Sequence, residues 1–353
     1  MRFVPVNRLE PSMIVARPIY GSDGRILLNS GVELVDSYIG RLKQLGIPGV
    51  YIQDEYIGEI EYHDVVSEKT RTRAFSGVKE TFESILVGKG FDVEVINESV
   101  RDIIDDIASN PNVLINLTDI RAYDAYTFGH SVNVCVLSVL LGFKMGLNEL
   151  EIRELGIGSI LHDIGKIFVP EDIIKKPGPL TDQEMQEMKK HSLIGWEILR
   201  EHPEIPVKSA RVAYQHHERP NGTGYPHGLS LDKISTYARI VAVADAYDAM
   251  TSERLYQEAI MPFEAIQIID RLGGVQFDPE VANLLCESVA PYPVGCQERL
   301  SDNQIGMVVD VNQADRFRPV IRVIYNPDGT QIDGFREIDL AKESILSIVE
   351  VIK

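Results

Sequence analysis

At 353 residues, with 44% hydrophobic and 25% charged side chains, the chain has material for two or three folded units, and its ordinary composition excludes a wholly disordered or fibrous protein. A formal net charge of -18 disfavours long nucleic acid as a partner, because gripping a phosphate backbone needs a basic stripe. Cys135, Cys286 and Cys296 are widely spaced with no CxxC pair, which excludes a disulfide framework and points to reduced thiols in a cytosol.

The opening MRFVPVNRLEPSM lacks the apolar run of a signal peptide, and the most apolar stretch, Val132 to Leu141, is too short to cross a bilayer, so a cytoplasmic protein without a membrane span is expected. Residues 1–66 predict a small α/β unit. Short apolar runs lie at Ile14–Ala16 and Ile26–Leu28 with an Asp23-Gly24 turn between them, a helix runs from Asp36 to Leu45 and is closed by Gly46, and Val50–Ile52 is a last strand. Residues 67–300 read as largely helical. Glu94–Ala108 has helical apolar spacing and stops before Asn110-Pro111, and His130 to Met145 is a second apolar helix. Asn148 caps a third, and the Thr181–Glu184 capping box opens a helix reaching about Arg200. Pro206 begins another that reaches about Glu218, and Ser235 to Ser252 is a helix rich in Ala and Val. In residues 301–353, strand-like runs at Gly306–Val311, Pro319–Tyr325 and Ser347–Ile352, with a turn at Pro327-Asp328-Gly329, predict a small β-rich domain. The expected fold class is mainly α: a helical bundle flanked by a small N-terminal α/β domain and a small C-terminal β-rich domain.

Of the eight histidines, His130, His162, His191, His216 and His217 fall within the helical stretch. His162-Asp163 sits in ILHDIGK and Asp245 in the apolar VAVADAYDAM. Neutral imidazoles with carboxylates suit iron, manganese, zinc or nickel at a partly open site. His162 and Asp163 are adjacent, so both are expected to reach one cluster from the same helical turn. A carboxylate can bridge two cations, and two cations about 3.5–4 Å apart can hold a hydroxide for in-line attack on phosphorus. Asp245 is costly in an apolar helix unless something such as a cation offsets its desolvation. A lone histidine is more often a satisfied structural residue, which is the reading for His63, His202 and His227. His217 continues the stripe of Ala210, Ala213 and Tyr214 and should face inward; Cys135, in VNVCVLSVLL, reads as a core residue.

The order His130-Ser131, His162-Asp163-Ile164-Gly165-Lys166, His191, His216-His217-Glu218, Gly224-Tyr225-Pro226 and Asp245 resembles the HD-GYP family, and Tyr126-Thr127, Pro170 and Phe277-Asp278-Pro279 fit it too. The resemblance covers about residues 115–290, and the flanking pieces look similar to small accessory domains. It implies a helical HD domain that hydrolyses cyclic di-GMP to the linear dinucleotide, with cleavage on to GMP as a further step, by bimetal-activated hydroxide attack. Carried over, one cation takes His130, His162, Asp163 and Asp245, and the second shares Asp163 and adds His191, His216 and His217. The metals implied are iron or manganese. Family members with a third cation use a Glu one turn before the first His; Tyr126 stands there, so two are expected. Lys166, one turn beyond Asp163, and Arg254, after the Asp245 helix, are expected phosphate contacts. Gly224 and Tyr225 belong to a tight NGTGYP loop in which Tyr225 either stacks on a guanine or positions the loop.

One departure stands out. Arg254-Leu255-Tyr256-Gln257 replaces the family's Arg-Pro-Tyr followed by a basic residue, so the second phosphate contact is in doubt. That leaves two alternatives open: a catalytically weak dinucleotide-binding or protein-interaction module, with partners such as a diguanylate cyclase or a second copy in a homodimer, or an HD phosphohydrolase acting on another cyclic dinucleotide or nucleotide.

Overall fold

The computed structural model describes residues 2–20, 26–45, 47, 49–53, 65–109, 126–252 and 259–352. The expectations for Asp23-Gly24, Gly46, His63 and Asn110-Pro111 lie outside the described residues.

In the N-terminal part, β1 (Arg2–Pro5) pairs antiparallel with β4 (Gly49–Ile52), and β2 (Ile19–Tyr20) with β3 (Ile26–Leu28); α1 (Asp36–Gln44) lies between them in sequence. The α/β character is as expected, but Ile14 and Val15 form only single bridges, to Glu33 and Ile52, and the strand β1 had no periodic signal in its few residues. Val15, Leu34, Ile39, Leu42, Ile47 and Val50 form a separate small core.

The helical part begins with α2 (Glu68–Leu86), α3 (Val93–Ser109) and α4 (Tyr126–Lys144). It continues through α5 (Glu149–Ile160), α6 (Glu171–Ile174), α7 (Asp182–Arg200) and α8 (Val207–Gln215) to α9 (Thr236–Thr251), α10 (Pro262–Leu272) and α11 (Pro279–Ser288). Polar side chains start five of them. Ser67, Asn148, Thr181, Ser235 and Asp278 each accept a backbone N–H in the first turn, and Asn148–Glu151 and Thr181–Glu184 form reciprocal capping boxes. Val132 and the run Val134–Val136 in α4 are buried with Leu137, Val139, Leu140 and Leu141, so this helix is enclosed on every side and packs against α2, α3, α5, α9 and α11.

Two expected helices are shorter than their patterns suggested, and both stop at histidines. α5 ends at Ile160, after which Leu161–Asp163 turn and Ile164–Phe168 form a 3-10 segment. His162, Asp163 and Lys166 therefore do not share one α-helical turn. α8 ends at Gln215 rather than Glu218, because the His216 ring turns its Nδ1 to the carbonyls of Val212 and Ala213, each at 3.1 Å, and satisfies the end of the helix.

The C-terminal part is one antiparallel sheet of order β8-β7-β6-β5-β9. Its strands are β5 (Gln297–Leu300), β6 (Ile305–Asp310), β7 (Val320–Tyr325), β8 (Gln331–Asp339) and β9 (Ile348–Ile352). β5 and β8 are additions to the three expected strands; QERL and QIDGFREID are too polar to announce themselves. The Pro327-Asp328-Gly329 turn joins β7 to β8, with Gly329 at φ 83° and Asp328 accepting the Thr330 N–H at 2.9 Å.

Glu298 on β5 is fully buried and neither carboxylate oxygen has a hydrogen-bond partner, so burial pushes its carboxyl up to about 9. The folded form then holds a proton that the unfolded chain, titrating near 4.5, gives up, so stability must fall as pH rises between these values. Glu298→Gln is expected to flatten the dependence of melting temperature on pH between 5 and 9 and to raise melting at pH 8, by roughly 2–4 °C for each kcal/mol recovered. A thermal melt series across pH checks it, and an unchanged slope would refute the assignment.

Candidate metal centre

The five histidines come from four places: α4 (His130), the turn after α5 (His162), α7 (His191) and the turn after α8 (His216 and His217). Asp163 follows His162, and Asp245 projects from α9. Asp163, His191, His216 and His217 offer ligand atoms within 4.8 Å of one another, and so do His130, His162 and Asp245.

Asp163 stands between the two groups. Its Oδ2 is 3.3 Å from His162 Nε2 and 3.7 Å from His130 Nε2, whereas its Oδ1 is 3.5 Å from His191 Nε2 and 3.7 Å from His216 Nε2. Asp245 Oδ1 lies 3.0 Å from His130 Nε2.

Four of the imidazoles are oriented through Nδ1. His162 Nδ1 is 2.7 Å from the Ser159 carbonyl, His191 Nδ1 is 2.7 Å from that of Met188, and His216 Nδ1 reaches Val212 and Ala213. His130 Nδ1 is 2.6 Å from Asp248 Oδ2. A ring that donates from Nδ1 presents Nε2 inward, which is how an acceptor behind the ring prepares a histidine for a metal.

The electrostatics of the protein groups alone agree. Burial holds His191 down at about 4 and His216 at about 3, and burial with the neighbouring His216 holds His217 well below its ordinary value, so these rings are neutral. Burial would raise Asp163, but His162 and Lys166 keep it well below the usual carboxylate range; the His130 hydrogen bond does the same for Asp245. Burial lowers His130, yet hydrogen bonds to Asp245 and Asp248 outweigh it and raise the ring to about 9. A positive charge is thus favoured between His130 and Asp245.

His162 Nε2 and Asp163 Oδ1 are both buried without a hydrogen-bond partner. Leaving such atoms unsatisfied costs about 1–3 kcal/mol each. Neutral imidazole nitrogen and carboxylate oxygen are the donors a divalent transition metal prefers, so the residues fit such an ion.

Glycines make the convergence possible. A Cβ on Gly165 would lie 2.1 Å from the His191 carbonyl oxygen and 2.7 Å from the Gly195 nitrogen, so only glycine lets the 3-10 segment press against α7 and bring Asp163 to His191. A Cβ on Gly224 would lie 2.4 Å from the Arg219 nitrogen, which folds the following loop back over His217. The Tyr225 ring stacks on His217 at 4.7 Å, and Lys189 Nζ lies 5.1 Å from its centroid. Tyr225 therefore has protein partners that hold the loop, and its peptide to Pro226 is cis. Glu218 anchors the rest of that loop by accepting the N–H groups of His227 at 2.7 Å and Leu229 at 2.8 Å.

Lys166 does not reach away from the centre. Its Nζ is 2.5 Å from Asp163 Oδ2, and its side chain is 27% exposed. Arg254 and Gln257 lie outside the described residues, as does the side chain of Tyr126. His202 packs on Phe91 and His227 bonds Tyr214, each away from the centre, and Cys135 is wholly buried with its thiol pushed up to about 12. Phe277-Asp278-Pro279 is structural: Asp278 caps α11 and pairs with Arg239 of α9 at 2.7 Å.

Sequence reasoning missed Asp248 and Asn133. Each lies three residues after a centre residue, Asp245 and His130, on the same helical face, and Asp248 is as anomalous in an apolar helix as Asp245. That spacing was the available signal.

A family profile described as an HD domain matches residues 103–281, about half of the chain. The chain belongs to the HD-domain family. A second profile, a KOW domain associated with HD domains, matches residues 299–353, the region of the five-stranded sheet. The HD domain implies divalent metal binding, and the histidine and aspartate clusters of this HD-domain protein are able to hold metal. Among curated proteins it is 35% identical over 255 residues to a cyclic di-GMP phosphodiesterase of Pseudomonas aeruginosa, covering 72% of this chain and 61% of that one. It is 36% identical over 218 residues to a cyclic di-GMP phosphodiesterase of Thermotoga maritima, covering 61% and 59%. A 3′3′-cGAMP-specific phosphodiesterase of Vibrio cholerae is 36% identical over 162 residues, covering 46% and 35%. The chain thus spans about three fifths of the length of the first two relatives. An HDG"Y"P protein from Bdellovibrio bacteriovorus shares the fold with TM-score 0.54 at 20% identity, over 81% of this chain and 98% of that one. The HD-domain part of the resemblance read from the sequence holds.

Gly165→Ala is expected to push the 3-10 segment from α7, lowering stability by about 1–3 kcal/mol and weakening metal uptake. Chemical denaturation and metal analysis of the purified variant check this; wild-type values in both would show that the close approach is unimportant.

Proposed function

We propose that the chain is a metal-dependent phosphodiesterase that opens a cyclic dinucleotide, cyclic di-GMP foremost, to the linear dinucleotide, with cleavage to GMP as a further step. The observation that carries this reading is the single buried carboxylate of Asp163, with one oxygen toward each group of histidines. The names of the relatives support the substrate class.

In this reading His130, His162, Asp163 and Asp245 would hold one cation, and Asp163, His191, His216 and His217 a second. Iron or manganese suits these donors, and Tyr126, standing where a third-metal Glu would be, keeps the number at two. Bound there, such cations supply Lewis acidity, activating water as the nucleophile and offsetting charge at phosphorus.

The chain's own residues then orient and bind. Ser159, Met188, Val212, Ala213 and Asp248 hold the imidazoles with Nε2 inward. Lys166, whose ammonium lies 2.5 Å from Asp163 Oδ2 at the edge of the centre, would be the group to meet a phosphate oxygen. Tyr225 with Gly224 walls the site beside His217. Arg254 is a further phosphate contact proposed from the sequence alone, and Gln257 in place of a basic residue weakens that end of the site. The flanking units are assigned sensing, dimerisation or docking. A cytosolic setting fits the free cysteines; no helix among the described residues is long and apolar enough to cross a membrane.

A second reading, preference for another cyclic dinucleotide, has its own observation in the relatives named for 3′3′-cGAMP. Protein purified without oxygen is expected to carry about two transition-metal equivalents and to convert cyclic di-GMP, assayed beside 3′3′-cGAMP and cyclic di-AMP, to a linear dinucleotide. Turnover should vanish with chelator, return with Mn²⁺ or Fe²⁺, and be lost in Asp163→Asn. Metal-loaded protein that opens none of the three substrates would overturn the enzyme reading and leave a binding module.

A further inference from the structure

A relay of buried polar side chains runs from α2 to the centre. Arg71 Nη1 donates to Asn133 Oδ1 at 3.0 Å, Asn133 Nδ2 donates to Asp248 Oδ1 at 2.9 Å, and Asp248 Oδ2 lies 2.6 Å from His130 Nδ1. Arg71 and Asn133 are each 4% exposed, Asp248 2% and His130 3%. Arg71 lies outside the stretch matched by the HD-domain profile.

The polarity of the relay has one solution. A guanidinium only donates, so it turns the Asn133 amide oxygen toward itself and leaves the amide NH₂ facing away. An ionised carboxylate only accepts, so Asp248 takes the amide N–H on one oxygen and is left with the other for the His130 Nδ1–H. With Nδ1 committed, His130 presents Nε2 toward Asp245 and Asp163. Without Arg71, Asn133 can flip its amide and turn an oxygen on Asp248, which breaks the relay at its centre.

We infer that Arg71, through Asn133 and Asp248, is a positioning residue for His130, and that α2 is thereby part of the machinery that sets one of the two metal sites. The inference rests on the proposed metal centre but not on its substrate. Among the described histidines the relay's hydrogen bonds reach His130, so its loss acts on one cation.

The test is Mn²⁺ titration of chelator-stripped full-length protein, with bound and free ion counted by electron paramagnetic resonance. Wild type should take up two ions. Arg71→Met, Asp248→Asn and Asn133→Leu should each weaken one of them by roughly 10–100-fold and leave the other unchanged, the size expected for loss of an outer-shell partner. Arg71→Lys, which can still donate to Asn133, should restore most of the loss. The unaffected ion and a thermal melt report folding in every variant, and Asn133→Leu tests the relay without removing a buried charge. Two ions bound with wild-type affinity in all three variants, or equal weakening of both ions, would overturn the positioning role while leaving the phosphodiesterase reading intact. Fewer than two ions on wild type would sink the bimetal centre itself. Two ions with the selective loss but no hydrolysis would sustain the relay and reject the activity.

Discussion

The burial of the Asp163 carboxylate is the constraint to which the rest of the helical domain answers. A carboxylate 1% exposed is tolerable only if positive charge or donors compensate for the lost water. Among the protein groups, Lys166 meets Oδ2 and the histidine rings stand near both oxygens, while Oδ1 is left without a hydrogen bond. His130 and His191 reach the carboxylate from within α4 and α7, whereas the other three histidines lie where helices stop. α5 ends before His162 and α8 before His216, and in each case the ring's own Nδ1 satisfies the carbonyls the helix leaves behind. The groups that break the helices also cap them.

Close backbone approach is the second requirement. Gly165 against the His191 carbonyl sets the distance between the two groups of candidate ligands, and Gly224 against Arg219 sets the loop that covers His217. Gly158, where a Cβ would meet the Ser209 carbonyl oxygen at 2.9 Å, does the same for α5 against α8. These are positions where small size matters more than backbone freedom, since none of the three has a positive φ. The metal centre and the packing of α5, α7 and α8 are therefore one problem with one solution.

The overall charge of -18 does not describe the surroundings of this centre. Lys166 beside Asp163 and Lys189 beside Tyr225 are basic groups at its margin. A field of one sign over the whole molecule can be reversed within a few ångströms by ions gripped in a low-dielectric cleft. The acidic excess belongs largely to surfaces such as α3, where Glu98 and Asp102 pair with Arg73 of α2.

Much of this was legible in the residues. Helical periodicity with its caps at Asn148 and Thr181 located the bundle, and doublets such as His162-Asp163 and His216-His217, set against an apolar background, named the candidate ligands. Those signals are local, because a cap or a misplaced charge is chemically odd in its own short window. Tertiary structure alone decided that the two oxygens of Asp163 face different histidine groups, that Lys166 turns back onto Asp163, and that Arg71 reaches His130 through Asn133 and Asp248. Each depends on a distance between segments far apart in the chain, which residue types do not encode until the helices are packed.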